Sequence, residues 1–240
     1  MNIPLVIVED SFQIAWKNVV SHLATTKWQY WNIIVQIRQP LNHNVRIHNL
    51  VEQFASAKGL LTPKQVAYTI FPFNLRSSYA TRAGFYDGYI SKLFPRTQKI
   101  LGHPNWGTYF YRMINYANDG EFVNQLENII GAINNRIALS HAAFTINITS
   151  PGSETIRKMG GPCLNYIAVQ IDNNRTINLL AVYRNHDFLK RAYGNYFGLI
   201  KLLNFIASET NHAVGRLTCV SSHAYIDNYK RDLINLIQQF

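Results

Sequence analysis

One of the chain's two cysteines, Cys163, stands directly after Pro162 at the head of an alternating run, GGPCLNYIAVQI. A thiolate held in a pocket is a nucleophile suited to covalent catalysis. Cys163, Asn165, Ile167, Val169 and Ile171 share one parity, so in a strand they are expected on one face, and that face is expected to look into the core. The thiol then projects inward at the strand's entrance, as a structural cysteine would and as a nucleophile at a pocket floor would. Further polar residues cluster downstream. Arg184 and Asp187 leave a strand together in YRNHD, Asn195 follows Asp187 by eight residues, and His223 and Tyr225 alternate in SSHAYI. Each also has a plain structural reading: Arg184 and Asp187 as a local ion pair, Asn195 as a helix cap, His223 and Tyr225 as a pair on a strand. They converge on Cys163 only if their strands are neighbours in one sheet.

The elements that must position them read as follows. The spacing in residues 10–26 predicts a helix capped by Asp10 or Ser11. Residues 28–37 read as a strand. A helix is expected over 49–59, closed by Gly59, and another from Thr62 with Pro63 in its first position. Residues 73–110 are rich in turns and aromatics and carry no clear assignment. An amphipathic helix is expected over 119–135. Residues 141–149, 165–172 and 177–184 read as strands, with DNNRT as the turn between the last two. A long helix opens at Asn195 and runs to 209, a strand covers 215–226, and a last helix follows from 228. Strands with several long helices imply an α+β (α/β) fold with a mixed sheet flanked by helices.

Composition narrows the class. The chain has 240 residues, of which 48% are apolar and 15% charged, enough for a sizeable core and against extensive disorder. It is expected to be one domain over 1–240. No apolar run approaches the roughly 18 residues of a membrane span, and MNIPLVIVED has no basic start or cleavage site. Two cysteines make no disulfide framework. A reduced, cytoplasmic protein is expected, so the N-x-T sequences at Asn147 and Asn174 are read as chance. Net charge is +10, from 23 Lys+Arg against 13 Asp+Glu, which favours an anionic partner. The charges are scattered, so nucleic acid ranks below a nucleotide as that partner.

Taken together, Cys163, Arg184, Asp187, Asn195, His223 and Tyr225 resemble, in order and spacing, the thymidylate synthase family over about residues 120–229. GPCLNYIAVQID looks like the family's Pro-Cys nucleophile loop and following strand. YRNHDFLKRAYGN is similar to its Arg-Ser-x-Asp segment with a base-reading Asn at fixed distance, and SSHAYI to its His-x-Tyr strand. PCL and RNHD are closest to the short archaeal-type synthases, and the phage pyrimidine hydroxymethylases are similar as well. Residues 1–110 match much less clearly.

The resemblance implies one-carbon transfer to C5 of a uracil nucleotide, dUMP foremost. Cys163 would add to C6, and C5 would attack a one-carbon unit carried by 5,10-methylenetetrahydrofolate, with no metal involved. Arg184 would serve both phosphate and thiolate, Asn195 would bond the N3 and O4 edge, and the Asp187 segment would meet O2. His223 and Tyr225 would bond the sugar hydroxyl. A homodimer is implied, in which the neighbouring chain completes the phosphate site.

The chain departs from the family at several places. Asn185 stands where the family has a phosphate-binding Ser. The trans-acting basic pair is replaced by roughly His141 and Ala142, so Arg136, Lys190 and Arg191 are the substitute cations, with Arg191 preferred. The family's Tyr-Gly segment is echoed in NWGTYFYRM, and Glu52 is the one candidate for its catalytic Glu. Other outcomes remain open at this stage: hydroxymethylation in place of methylation, a protein that binds a nucleotide without turnover, and a modifier of uracil in a polynucleotide.

Overall fold

The computed structural model describes residues 3–101, 107–118, 120–135, 144–150 and 161–240. Strand β1 (Leu5–Glu9) leads into helix α1 (Phe12–Thr25), where the Ser11 hydroxyl accepts the Gln13 N–H at 3.2 Å and makes Ser11, not Asp10, the cap. Strand β2 (Gln29–Ile37) and helix α2 (Val45–Ala57) follow. Helix α2 starts ahead of residue 49 because Asn44 caps it by accepting the Ile47 N–H, and Gly59 ends the segment at φ +65°. Thr62 and Gln65 form a reciprocal capping box on α3 (Pro63–Tyr68), with Pro63 in the first turn.

The unassigned stretch turns out to be helical. It holds α4 (Phe73–Arg76), α5 (Arg82–Gly88), a π-helical turn over Tyr89–Leu93, α6 (Phe94–Leu101) and α7 (Tyr109–Ile114). Helices α4 and α7 span too few turns to print a helical period on the sequence, and the continuous helical stretch from Arg82 to Leu101 has its period shifted midway by the π-helical turn. The helix expected over 119–135 is shorter than its pattern. Strands β3 (Tyr116–Asn118) and β4 (Glu121–Val123) form a hairpin first, and α8 (Gln125–Asn134) begins after Asn124, which caps the Glu127 N–H.

The remaining elements are β5 (Phe144–Asn147), β6 (Leu164–Ile171), β7 (Thr176–Tyr183), β8 (His186–Asp187), α9 (Ala192–Glu209), β9 (Ala213–Tyr225) and α10 (Lys230–Ile237). A seven-stranded mixed sheet runs β1-β2-β9-β7-β6-β5, with β8 added parallel to the end of β9. The fold is α+β, a mixed sheet flanked by helices. Strands β6, β7 and β9 are adjacent, which is the condition the candidate residues needed.

One face of the sheet is the core. Ile33, Val35 and Ile37 of β2, Leu217, Cys219 and Ser221 of β9, and Ile177, Leu179, Ala181 and Tyr183 of β7 are all buried there. Helices α1 and α9 pack on these strands. The opposite face carries the row Val6–Ile34–Val220–Val182–Tyr166 across β1, β2, β9, β7 and β6. Val6 is 59% exposed and the other four are half-buried.

Strict alternation from Cys163 to Ile171 does not hold. Leu164 pairs with Tyr183 but Tyr166 pairs with Val182, so Asn165 is an extra residue and β6 carries a bulge. Leu164 therefore joins Ile167 and Val169 on the core side, and Cys163 is moved out of that file.

Candidate active site

A pocket of about 280 Å³ opens where the ends of these elements meet. Cys163, at the entrance of β6, is half-buried on its wall. Its N–H donates to the Tyr109 hydroxyl at 3.3 Å, and its carbonyl accepts the Arg184 backbone N–H at 2.9 Å. Asp187 is contributed by β8, Asn195 by the first turn of α9, and Tyr225 by the end of β9, while Asn185, Lys190 and Arg191 come from the connections. Thr69, Thr108 and Tyr109 close the far side. They reach it because the Phe110 N–H donates to the Thr69 carbonyl at 2.9 Å, tying α7 to the end of α3.

Close helix packing sets this wall. A Cβ on Gly198 of α9 would lie 2.8 Å from the Ala67 carbonyl oxygen, and one on Gly194 would lie 2.5 Å from Val66 Cβ. Glycine at these positions lets α3 approach α9 closely enough to bring Thr69 to the pocket.

The charged groups divide into two sets. Lys190 and Arg191 line the pocket. Arg184 is exposed outside it, and its Nε donates to the Pro162 carbonyl at 3.1 Å. Burial pushes the Cys163 thiol up, Arg184 and Arg191 pull it down, and Asp187 pushes it up again; the net shift is upward. Nearby arginine alone was expected to favour the thiolate. Desolvation of the thiolate outweighs both guanidiniums.

Asp187 is buried, and burial raises its carboxyl above the ordinary range despite two backbone donors. Its Oδ1 accepts the Leu189 and Lys190 N–H groups at 3.0 and 2.9 Å, and its Oδ2 meets Lys190 Nζ at 3.8 Å. The ion-pair partner is thus Lys190, where a pairing with Arg184 had been an alternative. Its carbonyl accepts the Arg191 N–H, which sets the geometry of the turn into α9.

Asn195 does not cap its helix. Arg191 holds the cap position of α9 without a side-chain capping bond, and Asn195 sits inside the first turn, 3% exposed. Its Nδ2 lies 3.0 Å from His186 Nε2, and His186 Nδ1 lies 2.8 Å from Ser221 Oγ. Sequence reasoning passed over His186, although it stands between Asn185 and Asp187; β8 sets it opposite Ala224, so strand register does not disclose its side-chain contact with Ser221. Thr108 and Tyr109 fall in NWGTYFYRM, the segment read as an echo of the family's Tyr-Gly segment, but neither was named as a site residue; Thr69 was passed over because nothing local marks it.

His223 lies behind the pocket wall. Its Nδ1–H donates to Asn185 Oδ1 at 2.8 Å, and its ring stacks on Tyr225 with centroids 5.6 Å apart. Burial pushes the Tyr225 phenol up to about 12, with Asp187 and Asp227 adding to it, and burial pushes the Tyr109 phenol to about 12 as well. Both are neutral donors at ordinary pH. Glu52 lies elsewhere: its Oε1 accepts the Lys64 N–H at 3.2 Å at the start of α3, and it does not line the pocket. Arg136, His141 and Ala142 lie outside the described residues. Among the described residues, no cluster of His, Cys, Asp and Glu could hold a metal ion, and no helix is long and apolar enough to cross a membrane.

The pocket therefore presents a thiol, two cations, a buried carboxyl, a buried amide and two phenols. No protein-family profile matches the chain. Archaeal proteins do. A Methanococcoides burtonii protein named "Putative thymidylate synthase" is 28% identical over 130 residues, 54% of this chain and 57% of that protein. Proteins of the same name from Methanosarcina acetivorans and Methanosarcina mazei are 26% and 27% identical over the same shares. The match spans somewhat more than half the length of these relatives, so the likeness is one to thymidylate synthase-like proteins over that part.

Proposed function

We propose that the chain is a thymidylate synthase-like transferase acting at C5 of a uracil nucleotide, dUMP foremost. The observation that carries the reading is the meeting of Cys163, Arg191 and Asn195 on one pocket. The thiolate of Cys163 adds to C6 of the ring, and the electron pair of the C5–C6 bond moves toward C4–O4. Asn195 stabilises that charge if an amide N–H reaches O4, while its oxygen accepts from N3–H. Arg191 and Lys190 hold phosphate, and Tyr225 meets the sugar. Loss of the C5 proton and departure of the thiolate from C6 restore the ring.

The residues present fit a reduced folate in one respect. The Asp187 carboxyl lines the pocket with Oδ2 uncommitted to backbone donors, and a fused aminopyrimidinone offers ring and amino N–H donors to such an acceptor. When bound, 5,10-methylenetetrahydrofolate would supply the electrophilic one-carbon unit that C5 attacks, and hydride from the same folate (for methylation) or water (for hydroxymethylation) would complete the C5 substituent as the bond from that carbon to the folate nitrogen breaks.

A second copy of the chain is the partner in this reading, seated on the apolar row Val6–Ile34–Val220–Val182–Tyr166. Val220→Glu should shift a dimer to monomer in sedimentation, and a monomeric parent protein at micromolar concentration would remove the homodimer.

One observation favours a nucleotide-binding protein without turnover: burial holds the Cys163 thiol protonated. The deciding experiment is intact-mass analysis after incubation with 5-fluoro-dUMP and methylenetetrahydrofolate, since fluorine at C5 blocks the final elimination. A ternary adduct in the parent protein and none in Cys163→Ser is expected. Nucleotide binding with no adduct at Cys163 would leave the binding reading in its place.

A further inference from the structure

We infer that His186 and Ser221 form a positioning pair whose proton arrangement is coupled to the orientation of the Asn195 amide, and so to which pyrimidine edge the pocket accepts. The inference rests on the nucleotide reading of the site and adds residues that reading does not use. All three residues are buried: His186 and Ser221 are 1% exposed and Asn195 3%. The imidazole lies flat on the Tyr183 ring, with centroids 4.0 Å apart and planes 5° apart. Its two nitrogens are both occupied, Nε2 by Asn195 Nδ2 at 3.0 Å and Nδ1 by Ser221 Oγ at 2.8 Å.

An amide nitrogen can only donate, so Nε2 is the acceptor and the ring proton sits on Nδ1, donated to Ser221. Burial pushes the imidazole down to about 3, so a second proton does not disturb the arrangement at ordinary pH. Only one other pattern satisfies every atom. In it Ser221 donates to Nδ1, Nε2–H donates to Asn195 Oδ1, and the amide is turned over. The two patterns present opposite edges. With Nδ2 turned toward His186, Oδ1 and the remaining N–H are left for a base with a donor at N3 and an acceptor at position 4, which is uracil. The turned-over amide suits a base with an acceptor at N3 and a donor at position 4, which is cytosine. The imidazole tautomer and the base choice are thus one setting.

Two measurements test this. Long-range 1H–15N NMR of the ligand-free protein should show His186 as the Nδ1–H tautomer; an Nε2–H tautomer would overturn the inference without touching the enzyme reading. Calorimetric titration of dUMP and dCMP, without folate, should show that His186→Phe, which keeps the ring stack and removes both nitrogens, lowers the dUMP:dCMP affinity ratio by about ten- to a hundredfold. Ser221→Ala should lower it in the same direction by less, since the imidazole keeps its contact with the Asn195 amide through Nε2 and loses only its partner at Nδ1. A purely structural role would weaken both nucleotides equally and leave the ratio unchanged, and that result would also overturn the inference. If His186→Phe does not fold, as judged by its circular dichroism melt, the Ser221→Ala ratio decides. If the parent protein binds neither nucleotide, the proposed function falls and the base-selecting role falls with it.

Discussion

Arg184 is bonded to Cys163 through the main chain: its N–H donates to the Cys163 carbonyl at 2.9 Å, and its Nε reaches the preceding carbonyl, of Pro162, at 3.1 Å. The guanidinium is thereby fixed beside the nucleophile loop without entering the pocket. It acts on the thiol through space and through the loop's shape.

The first prediction concerns that thiol. Burial raises its pKa, with Arg184 and Arg191 opposing and Asp187 adding. The reactive thiolate grows as pH rises through a value above the ordinary thiol range. The rate of iodoacetamide labelling at Cys163, followed by mass, should therefore still be climbing where a free thiol has levelled off. At fixed pH, Arg184→Gln should slow labelling and Asp187→Asn should quicken it. Cys219, fully buried in β9, should stay unlabelled while the protein is folded. A labelling profile centred below that of a free thiol would contradict the burial argument.

Arg191 is expected to hold phosphate. Its side chain makes no capping bond on α9, so Arg191→Ala should leave the melting temperature nearly unchanged. Losing one charged hydrogen bond to phosphate, roughly 1.5–3 kcal/mol, should weaken dUMP by about ten- to a hundredfold and spare deoxyuridine. Equal loss for both ligands, or none for either, would remove Arg191 from the phosphate site.

Much of this arrangement was legible in the sequence, and the reason is sheet periodicity. The near-continuous apolar run of β7 and the alternation of β9 announce central strands, and a residue at the end of such a strand is placed by its parity. That is how Tyr225 could be read into the same neighbourhood as Cys163. The bulge at Asn165 was not legible, because it appears only in the pairing of Leu164 and Tyr166 with β7. Tyr109 and Thr69 were hidden for another reason. They sit on helices of six residues, or just past one, and only the Phe110–Thr69 backbone bond brings them together. The cap reading of Asn195 failed because Arg191, a residue with no capping side chain, starts the helix.

Asn195→Asp tests the amide from the other side. Asp at this buried position would place a carboxylate oxygen against His186 Nε2, where a donor now sits 3.0 Å away. The imidazole should respond by moving its proton to Nε2, visible in the same NMR experiment, and preference should shift from dUMP toward dCMP by about ten- to a hundredfold. The sign of the stability change with pH is set by burial. A carboxyl at 3% exposure has its folded pKa raised above the roughly 3.9 of the unfolded chain. Between those two values the folded state binds more protons than the unfolded one, so the variant loses stability as pH rises through that window. Thermal melts at pH 4 to 8 should show the gap from the parent protein widening upward in pH. A constant gap and an unchanged base ratio would mean that the amide is not read by the ligand.

The pocket's far wall depends on two glycines, and Gly198 gives the cleaner test. A Cβ there would meet the Ala67 carbonyl oxygen at 2.8 Å and its Cα at 3.0 Å. Both are backbone atoms of α3, so the strain cannot be relieved by a side-chain rotation, and α3 must move off α9. Overpacking of this kind typically destabilises by about 1–3 kcal/mol, which in a chain of this size lowers the melting temperature by roughly 2–4 °C per kcal/mol. The displacement should also reach the ligand, because α3 ends beside Thr69, which lines the pocket and whose carbonyl holds α7. Gly198→Ala should therefore weaken dUMP binding even well below its melting temperature. Gly131 of α8 is the control. Among the described residues nothing lies within 4 Å of a Cβ placed there, so Gly131→Ala should gain helix propensity, up to about 1 kcal/mol, and leave binding alone. If Gly198→Ala melts like the parent protein and binds dUMP equally well, the close approach of α3 to α9 is not what builds the wall.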